Sequence, residues 1–239
     1  MSDLTLIIPA KNESESLPKV LQELKNFKYN ISIILHESDY KTIESIKEFS
    51  VEIIYQKNKG YGDALIEGIK NCRTELFCIF NADGSFDPKE IESMINLQKN
   101  NTLDFVFGSR YQKNSGSEDD TLITFVGNYI FTYIGKIFFS LPLNDILYTF
   151  VIGRTLQTKN LALKQKDFSF CVELPIKSKK KNLNIKIFDE FLRNKSLEIE
   201  KIRNYFEFST KNNKFDIIII FNNDYNFKIK NAQRFLSKK

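Results

Sequence analysis

The sequence predicts an α/β fold, a mostly parallel sheet flanked by helices. Three observations carry that expectation. Short apolar runs without a helical period alternate with segments of helical spacing from the amino terminus to Gly108. Each run ends in a polar turn, so the turns collect along one sheet edge, where parallel α/β sheets take their ligands. A hydrophobic content of 42% with 27% charged residues over 239 residues suits a globular core, with length for one domain or one domain plus an appendage.

The elements follow in order. Leu4 to Ile8 is the first predicted strand. Leu17, Val20, Leu21 and Leu24 then form an apolar helical stripe, with Ser14 or Ser16 as its cap and Pro18 in its first turn. Ile31 to Leu35 is the second strand, and Ile43, Ile46 and Phe49 belong to the next helix. Val51 to Tyr55 is the third strand, followed by a glycine-rich turn and the stripe Ala64, Leu65 and Ile69. Leu76 to Phe80 is the fourth, with Ile91, Ile95 and Leu97 on the helix beyond Pro88. Phe105 to Gly108 is the fifth. Tyr148 to Ile152 and Ile185 to Phe188 are later strands. Residues 167–174 read as a loop entering a helix, whose basic end (Lys177, Lys179, Lys180, Lys181) suits the helix dipole. Ile217 to Ile220 is a short β-like run. Domain boundaries are expected at residues 1–203 and 204–239, the second a basic carboxyl-terminal extension.

Thr121 to Phe139 is mostly apolar and aromatic. At about 100° per residue its polar and small members, Thr121, Thr124, Asn128, Thr132 and Gly135, share one narrow face, and the apolar members cover the opposite arc. The segment has about the length of a bilayer span, but Asn128 and Lys136 interrupt it. A core or dimer-contact helix is the preferred expectation, ahead of a helix docking on a membrane surface.

Charge is uneven. Residues 160–239 hold 18 Lys/Arg against 9 Asp/Glu, and the remainder holds 17 against 21. The basic third suits an anionic membrane surface or nucleotide phosphates as much as a solvated face. Its basic residues lack an aromatic stacking platform, which argues against nucleic acid. The three cysteines, Cys72, Cys78 and Cys171, are far apart and form no CxxC or Cys/His cluster, so neither zinc nor a disulfide framework is signalled. With Met1-Ser2-Asp3-Leu4 lacking a secretion pattern, a cytoplasmic location, peripheral at the inner face of a membrane, is expected.

The chemistry concentrates in the turns. Asn81 to Pro88 follows a buried strand with carboxylates, a glycine and a proline, poor packing material that suits a hard cation and the diphosphate it neutralises. Pro9 to Glu13, His36 to Asp39, Lys59 to Asp63 and Gly108 to Tyr111 end the other strands. His36 reads as a turn filler.

Together, IIPAKNE (7–13), KGYGDAL (59–65), FNADGSFDP (80–88), GSRY (108–111) and Asn144-Asp145 resemble family-2 glycosyltransferases of the GT-A fold, and among them the dolichyl-phosphate mannose or glucose synthase branch. The resemblance covers about residues 4–193. It implies a metal-dependent, inverting transfer of a hexose from a nucleotide-diphosphate sugar, with Mg²⁺ or Mn²⁺ as cofactor and a polyprenyl phosphate as one acceptor. It implies nucleotide-sugar contacts at Pro9, Ala10, Asn12 and Glu13, base recognition at Glu37, and further contacts at Lys59, Gly60 and Asp63. Asn81 and Asp83 take the places of the two aspartates in the metal-binding Asp-x-Asp motif. Arg110 falls near the transferred sugar or the acceptor phosphate, and Asp145 on the acceptor side; both join Asp83 as expected catalytic residues. Arg193 is a second acceptor-phosphate candidate. The glycines beside Lys59 are expected to allow close backbone approach at the ligand.

Three features depart from that family's pattern. Asn81 replaces the first aspartate and keeps only a carbonyl oxygen as ligand. No arginine stands near Thr121 to Thr124, and the basic signature around Arg193 to Ser196 is loose. A non-catalytic sugar-nucleotide binder is one rival reading. A nucleotidyltransferase is another, set back by the glycine-free first turn. The sugar, the base, the acceptor and the oligomeric state lie beyond the sequence.

Overall fold

A computed structural model of the chain describes residues 3–109, 122–189, 217–221 and 227–231. The chain divides into two compact units, Met1–Glu190 and Phe191–Lys239. Among the described residues the second unit contains an antiparallel pair of strands, β8 (Ile217–Phe221) and β9 (Phe227–Asn231).

The first unit is built on a seven-stranded sheet in the order β3-β2-β1-β4-β6-β5-β7. Its strands are β1 (Leu4–Pro9), β2 (Asn30–Leu35), β3 (Glu52–Tyr55), β4 (Leu76–Ile79), β5 (Phe105–Ser109), β6 (Val151–Arg154) and β7 (Ile185–Asp189). β1 to β4 pair parallel, as do β5 and β7. Only β6 runs against its neighbours β4 and β5. The helices are α1 (Leu17–Leu24), α2 (Tyr40–Ser45), α3 (Tyr61–Asn71), α4 (Lys89–Asn100), α5 (Leu122–Phe139), α6 (Thr155–Lys159) and α7 (Phe170–Lys180). The expected mostly parallel sheet, flanked by helices, is what forms.

Side-chain alternation along the strands splits the core between the two sheet faces. Leu6, Ile8, Ile33, Cys78, Phe80 and Val106 pack with α1 and α4 on one face. Ile7, Ile34, Phe77, Ile79, Phe105 and Phe107 pack with α3 and α7 on the other. The central strands read as unbroken apolar runs because both faces are covered. All three cysteines are free and buried, and burial pushes the thiols of Cys78 and Cys171 above their ordinary range.

Three expectations need correction. Ser16 is the N-cap residue of α1, but its side chain makes no cap bond; the hydroxyl donates to the Glu13 carboxylate instead. The strand expected at Tyr148 to Ile152 forms at Val151–Arg154, since Tyr148 and Phe150 turn into an aromatic cluster. The core-helix reading of α5 is reversed. Thr132 and Gly135 face inward, while Ile130, Phe131, Tyr133, Ile134, Ile137 and Phe138 are exposed. The apolar arc points out because Gly135 sits tight against Leu141 and Ile146, where a Cβ would come within 3.1 and 3.2 Å.

Candidate active site

The first and second turns are joined. Asn12 adopts φ 60, a left-handed conformation that asparagine tolerates better than most residues. Its N–H donates to Asp39 Oδ2 at 2.7 Å. The same carboxylate caps α2 by accepting from the Thr42 N–H at 3.4 Å, and Thr42 Oγ1 accepts from the Glu13 N–H at 3.0 Å. Asp39 thus pins the turn that carries Pro9, Ala10, Asn12 and Glu13. Ala10 is buried, Asn12 and Glu37 are exposed, and Glu13 is partly so. His36 fills its turn as expected: Nδ1 accepts from the Ser38 N–H at 3.2 Å and lies 2.7 Å from Ser38 Oγ.

The third turn differs from its sequence reading. Asp63 is buried. Its carboxylate accepts from the Asn58 N–H and Nδ2, both at 2.9 Å, with Lys166 Nζ at 3.8 Å. Its own N–H donates to the Lys166 carbonyl at 2.9 Å. The close approach that Gly60 and Gly62 permit is to the chain itself. A Cβ on Gly60, at φ +126, would lie 2.1 Å from the Lys166 carbonyl oxygen. One on Gly62 would lie 2.2 Å from that of Gln165. Segment 164–167 is held from behind by Glu173, which accepts from the N–H of Lys164 and Gln165 and pairs with Lys177 at 2.8 Å. Burial alone would raise the Glu173 carboxyl; the Lys177 ammonium and the two N–H groups outweigh it and hold the pKa below the ordinary value. Lys59 remains exposed beside this braced turn.

The fourth turn is open. Phe86 anchors it by stacking on Phe150 at 4.7 Å and meeting Phe80 and Tyr148 edge-on. Gly84 at φ +81 makes the bend. Asp83 is exposed, and its Oδ1 accepts from the Ser85 N–H at 2.9 Å. Its Oδ2 accepts nothing among the described residues. Asn81 Nδ2 donates to Ser85 Oγ at 3.0 Å, a bond that does not use its carbonyl oxygen.

Tyr61 opens α3. Its hydroxyl is 2.8 Å from Thr149 Oγ1 and its ring packs on Phe168 at 5.6 Å. Burial pushes the Tyr61 hydroxyl up, against the Thr149 hydrogen bond, and the nearby Cys171 and Asp83 push the same way. Burial likewise lifts the Cys171 thiol, to about 12, and the Asp145 carboxylate adds to the rise. These effects couple Asp83 and Cys171 to Tyr61, and Asp145 to Cys171, pair by pair. Asp145 itself is buried. Flanking it, the Ile146 N–H donates to Thr132 Oγ1 at 3.2 Å and Lys136 Nζ donates to Asn144 Oδ1 at 2.9 Å. Arg110 and Arg193 lie outside the described residues.

Sequence reasoning missed Asp39, Tyr61, Thr149 and segment 164–167. The Asp39-x-x-Thr42 spacing is a cap signal that could have exposed the first. Tyr61 and Thr149 meet across 88 residues, and segment 164–167 meets Gly60 and Gly62 from still further along the chain, which no local pattern carries.

A parallel nucleotide-type half, one reversed strand and ligand-ready turns at the strand ends define a glycosyltransferase of the GT-A fold. Residues 5–158 match the model of glycosyl transferase family 2, and the chain belongs to that family. It is 28% identical over 205 residues to the UDP-N-acetylglucosamine–dolichyl-phosphate N-acetylglucosaminyltransferase of Methanococcus voltae, covering 75% of this chain and 81% of that one. It is 31% identical over 125 residues to the dolichol-phosphate mannosyltransferase of Pyrococcus furiosus, covering 48% of this chain but only 35% of that one. Among solved structures, mannosyl-3-phosphoglycerate synthase from Rubrobacter xylanophilus superposes with TM-score 0.64 at 12% identity, over 95% of this chain and 86% of that one. Glucosyl-3-phosphoglycerate synthase from Mycobacterium tuberculosis, in complex with Mn²⁺, uridine diphosphate and glucosyl-3-phosphoglycerate, superposes with TM-score 0.63 at 10% identity, over 95% and 87%. At such identities the two structures speak for the fold alone.

Proposed function

We propose that this glycosyltransferase moves a hexose from a nucleotide-diphosphate sugar to a polyprenyl phosphate, with inversion and with the help of Mg²⁺ or Mn²⁺. The observation that carries the reading is Asp83: an exposed carboxylate with an oxygen to spare, on a turn braced by buried aromatics, at the sheet edge where the other turns end. The named acceptors of the two sequence relatives support the lipid phosphate.

The residues fit a divalent ion that borrows ligands from its substrate. Among the described residues no three His, Cys, Asp or Glu side chains gather into a metal cluster. Asp83 and the Asn81 carbonyl supply at most two positions, and Mg²⁺ sites of this kind draw the rest from phosphate and water. When bound, the ion would offset negative charge developing on the departing diphosphate. Pro9, Ala10, Asn12 and Glu13 would line the nucleotide with Lys59 and Gly60, and Glu37 would read the base. Asp63 acts one step back, by fixing the turn that presents Lys59.

In the transfer, an acceptor phosphate oxygen forms a bond to the anomeric carbon. The bond from that carbon to the diphosphate oxygen breaks, and its electron pair leaves with the nucleoside diphosphate. A phosphate is already anionic, so no base must deprotonate it. Arg110 and Arg193 would supply the positive charge that positions it, and Asp145 would shape the acceptor side.

The test is release of nucleoside diphosphate from a panel of UDP- and GDP-hexoses, with and without Mn²⁺ and polyprenyl phosphate. Turnover should require both. Asp83→Ala should lower kcat by about 100-fold or more, the scale of losing one preorganised charge-stabilising group, with its melting temperature unchanged. Full turnover in a chelator, or full activity of Asp83→Ala, would sink the reading.

A further inference from the structure

We propose that the outward face of α5 docks on an anionic lipid bilayer and so presents the acceptor side of the site to the membrane. This rests on the lipid-phosphate reading above and names the surface from which such an acceptor would be drawn.

The helix is amphipathic the wrong way round for a buried element. Ile130, Phe131, Tyr133, Ile134, Ile137 and Phe138 are between 40% and 74% exposed. At 3.6 residues per turn they sweep an arc of about 160°. Its inward contacts are made by Thr132 and Gly135. A contiguous apolar face of this kind marks a binding surface on a soluble protein. No helix of the described residues is long and apolar enough to cross a membrane, so the geometry is that of an element lying on the interface.

Charge selects the occupant. The helix Leu122–Phe139 contains no acidic residue. Lys136 flanks the apolar arc, and Lys180 Nζ stands 5.5 Å over the Phe139 ring at its carboxyl end, beside exposed Lys179 and Lys181. Apolar side chains rimmed by lysine match lipid tails rimmed by anionic headgroups. The inner side of α5 completes the link to function. Thr132 and Lys136 hold Ile146 and Asn144, the two neighbours of Asp145, so the surface that would meet lipid braces the acceptor loop from behind.

Flotation of the full chain with phosphatidylcholine vesicles, with and without phosphatidylglycerol, tests this. The protein should float with the anionic vesicles and be released at high salt, where surface charge is screened. Ile134→Glu/Phe138→Glu, at two exposed positions, should cut binding about tenfold or more, and so should Lys180→Glu/Lys181→Glu. Both variants should keep wild-type turnover of a short-chain, water-soluble polyprenyl phosphate. That assay separates the two ideas: no turnover there ends the functional reading while leaving docking intact. Failure of the wild type to float with either vesicle, or a solution dimer that Ile134→Glu/Phe138→Glu converts to monomer, overturns the docking.

Discussion

Two glycine turns at the same sheet edge, 58–63 and 81–85, look alike in sequence and differ in what the protein has done with them. Each carries an aspartate and a glycine with positive φ. In the first, Asp63 is buried with both oxygens taken by Asn58, and the glycines let segment 164–167 close in. In the second, Asp83 is exposed, and a Cβ on Gly84 would meet only Val20 Cγ2, at 3.7 Å. One turn is finished by the fold. The other still has an acceptor oxygen that no donor among the described residues takes. An aspartate in a polar turn is therefore not a site by itself; whether the protein already satisfies it decides.

The sharpest way to break that contrast is to add a methyl group to each turn. In Gly62→Ala the new atom meets two backbone oxygens, those of Gln165 and Asp167, at 2.2 and 2.6 Å. Neither can swing aside as a side chain would, so segment 164–167 must lift. We expect a loss of about 3 kcal/mol or more, the upper end for overpacking, which is about 9 °C in melting temperature for a chain of this size. Gly84→Ala makes only an ordinary contact, with Val20 Cγ2 at 3.7 Å, and bears the left-handed backbone cost, about 1–2 kcal/mol. Thermal unfolding of the pair checks this; equal losses would mean the two turns are not distinct.

A smaller effect follows from Asp63→Asn. The substitution keeps the shape but turns one acceptor oxygen into a donor facing the Asn58 N–H groups. Leaving a buried polar group opposed costs about 1–3 kcal/mol. The loop that presents Lys59 should loosen, so UDP or GDP affinity should fall together with stability. Asp83→Ala, in contrast, is expected to lose turnover with stability intact. If Asp63→Asn instead spared stability and lost turnover, Asp63 would belong with Asp83 as a ligand contact.

Much of this was legible in the sequence. The parallel strands announced themselves because burial on both faces demands unbroken apolar runs such as Leu76 to Phe80, and the turns followed by position. What was hidden depends on distance along the chain. Gly60 and Gly62 declared that something comes close; that it is the backbone of residues 165–167 could not be read locally. The reversal of β6 is set by its place between β4 and β5. For α5 the periodicity was visible, but the choice of inward face turned on Gly135 fitting against Leu141 and Ile146. Apolar content suggested the opposite. Asp39 was within reach, through its cap spacing to Thr42.

The mildest probe reaches the first turn from behind. Glu173 braces segment 164–167 and carries a pKa held below its ordinary 4.5. A carboxyl depressed by folding stabilises the protein above the pKa it has when unfolded, and that contribution disappears as pH falls through the folded value. Glu173→Gln should therefore lower the melting temperature at pH 7 by about 4 °C, from the loss of charge-assisted hydrogen bonds worth about 1.5–3 kcal/mol partly replaced by neutral ones. The gap from wild type should hold down to about pH 4.5 and close below it, as the wild-type carboxyl takes up its proton. A gap independent of pH would show that Glu173 acts through packing alone. The bracing of Gly60 and Gly62 would then rest on the Lys166 carbonyl and its bond from Asp63.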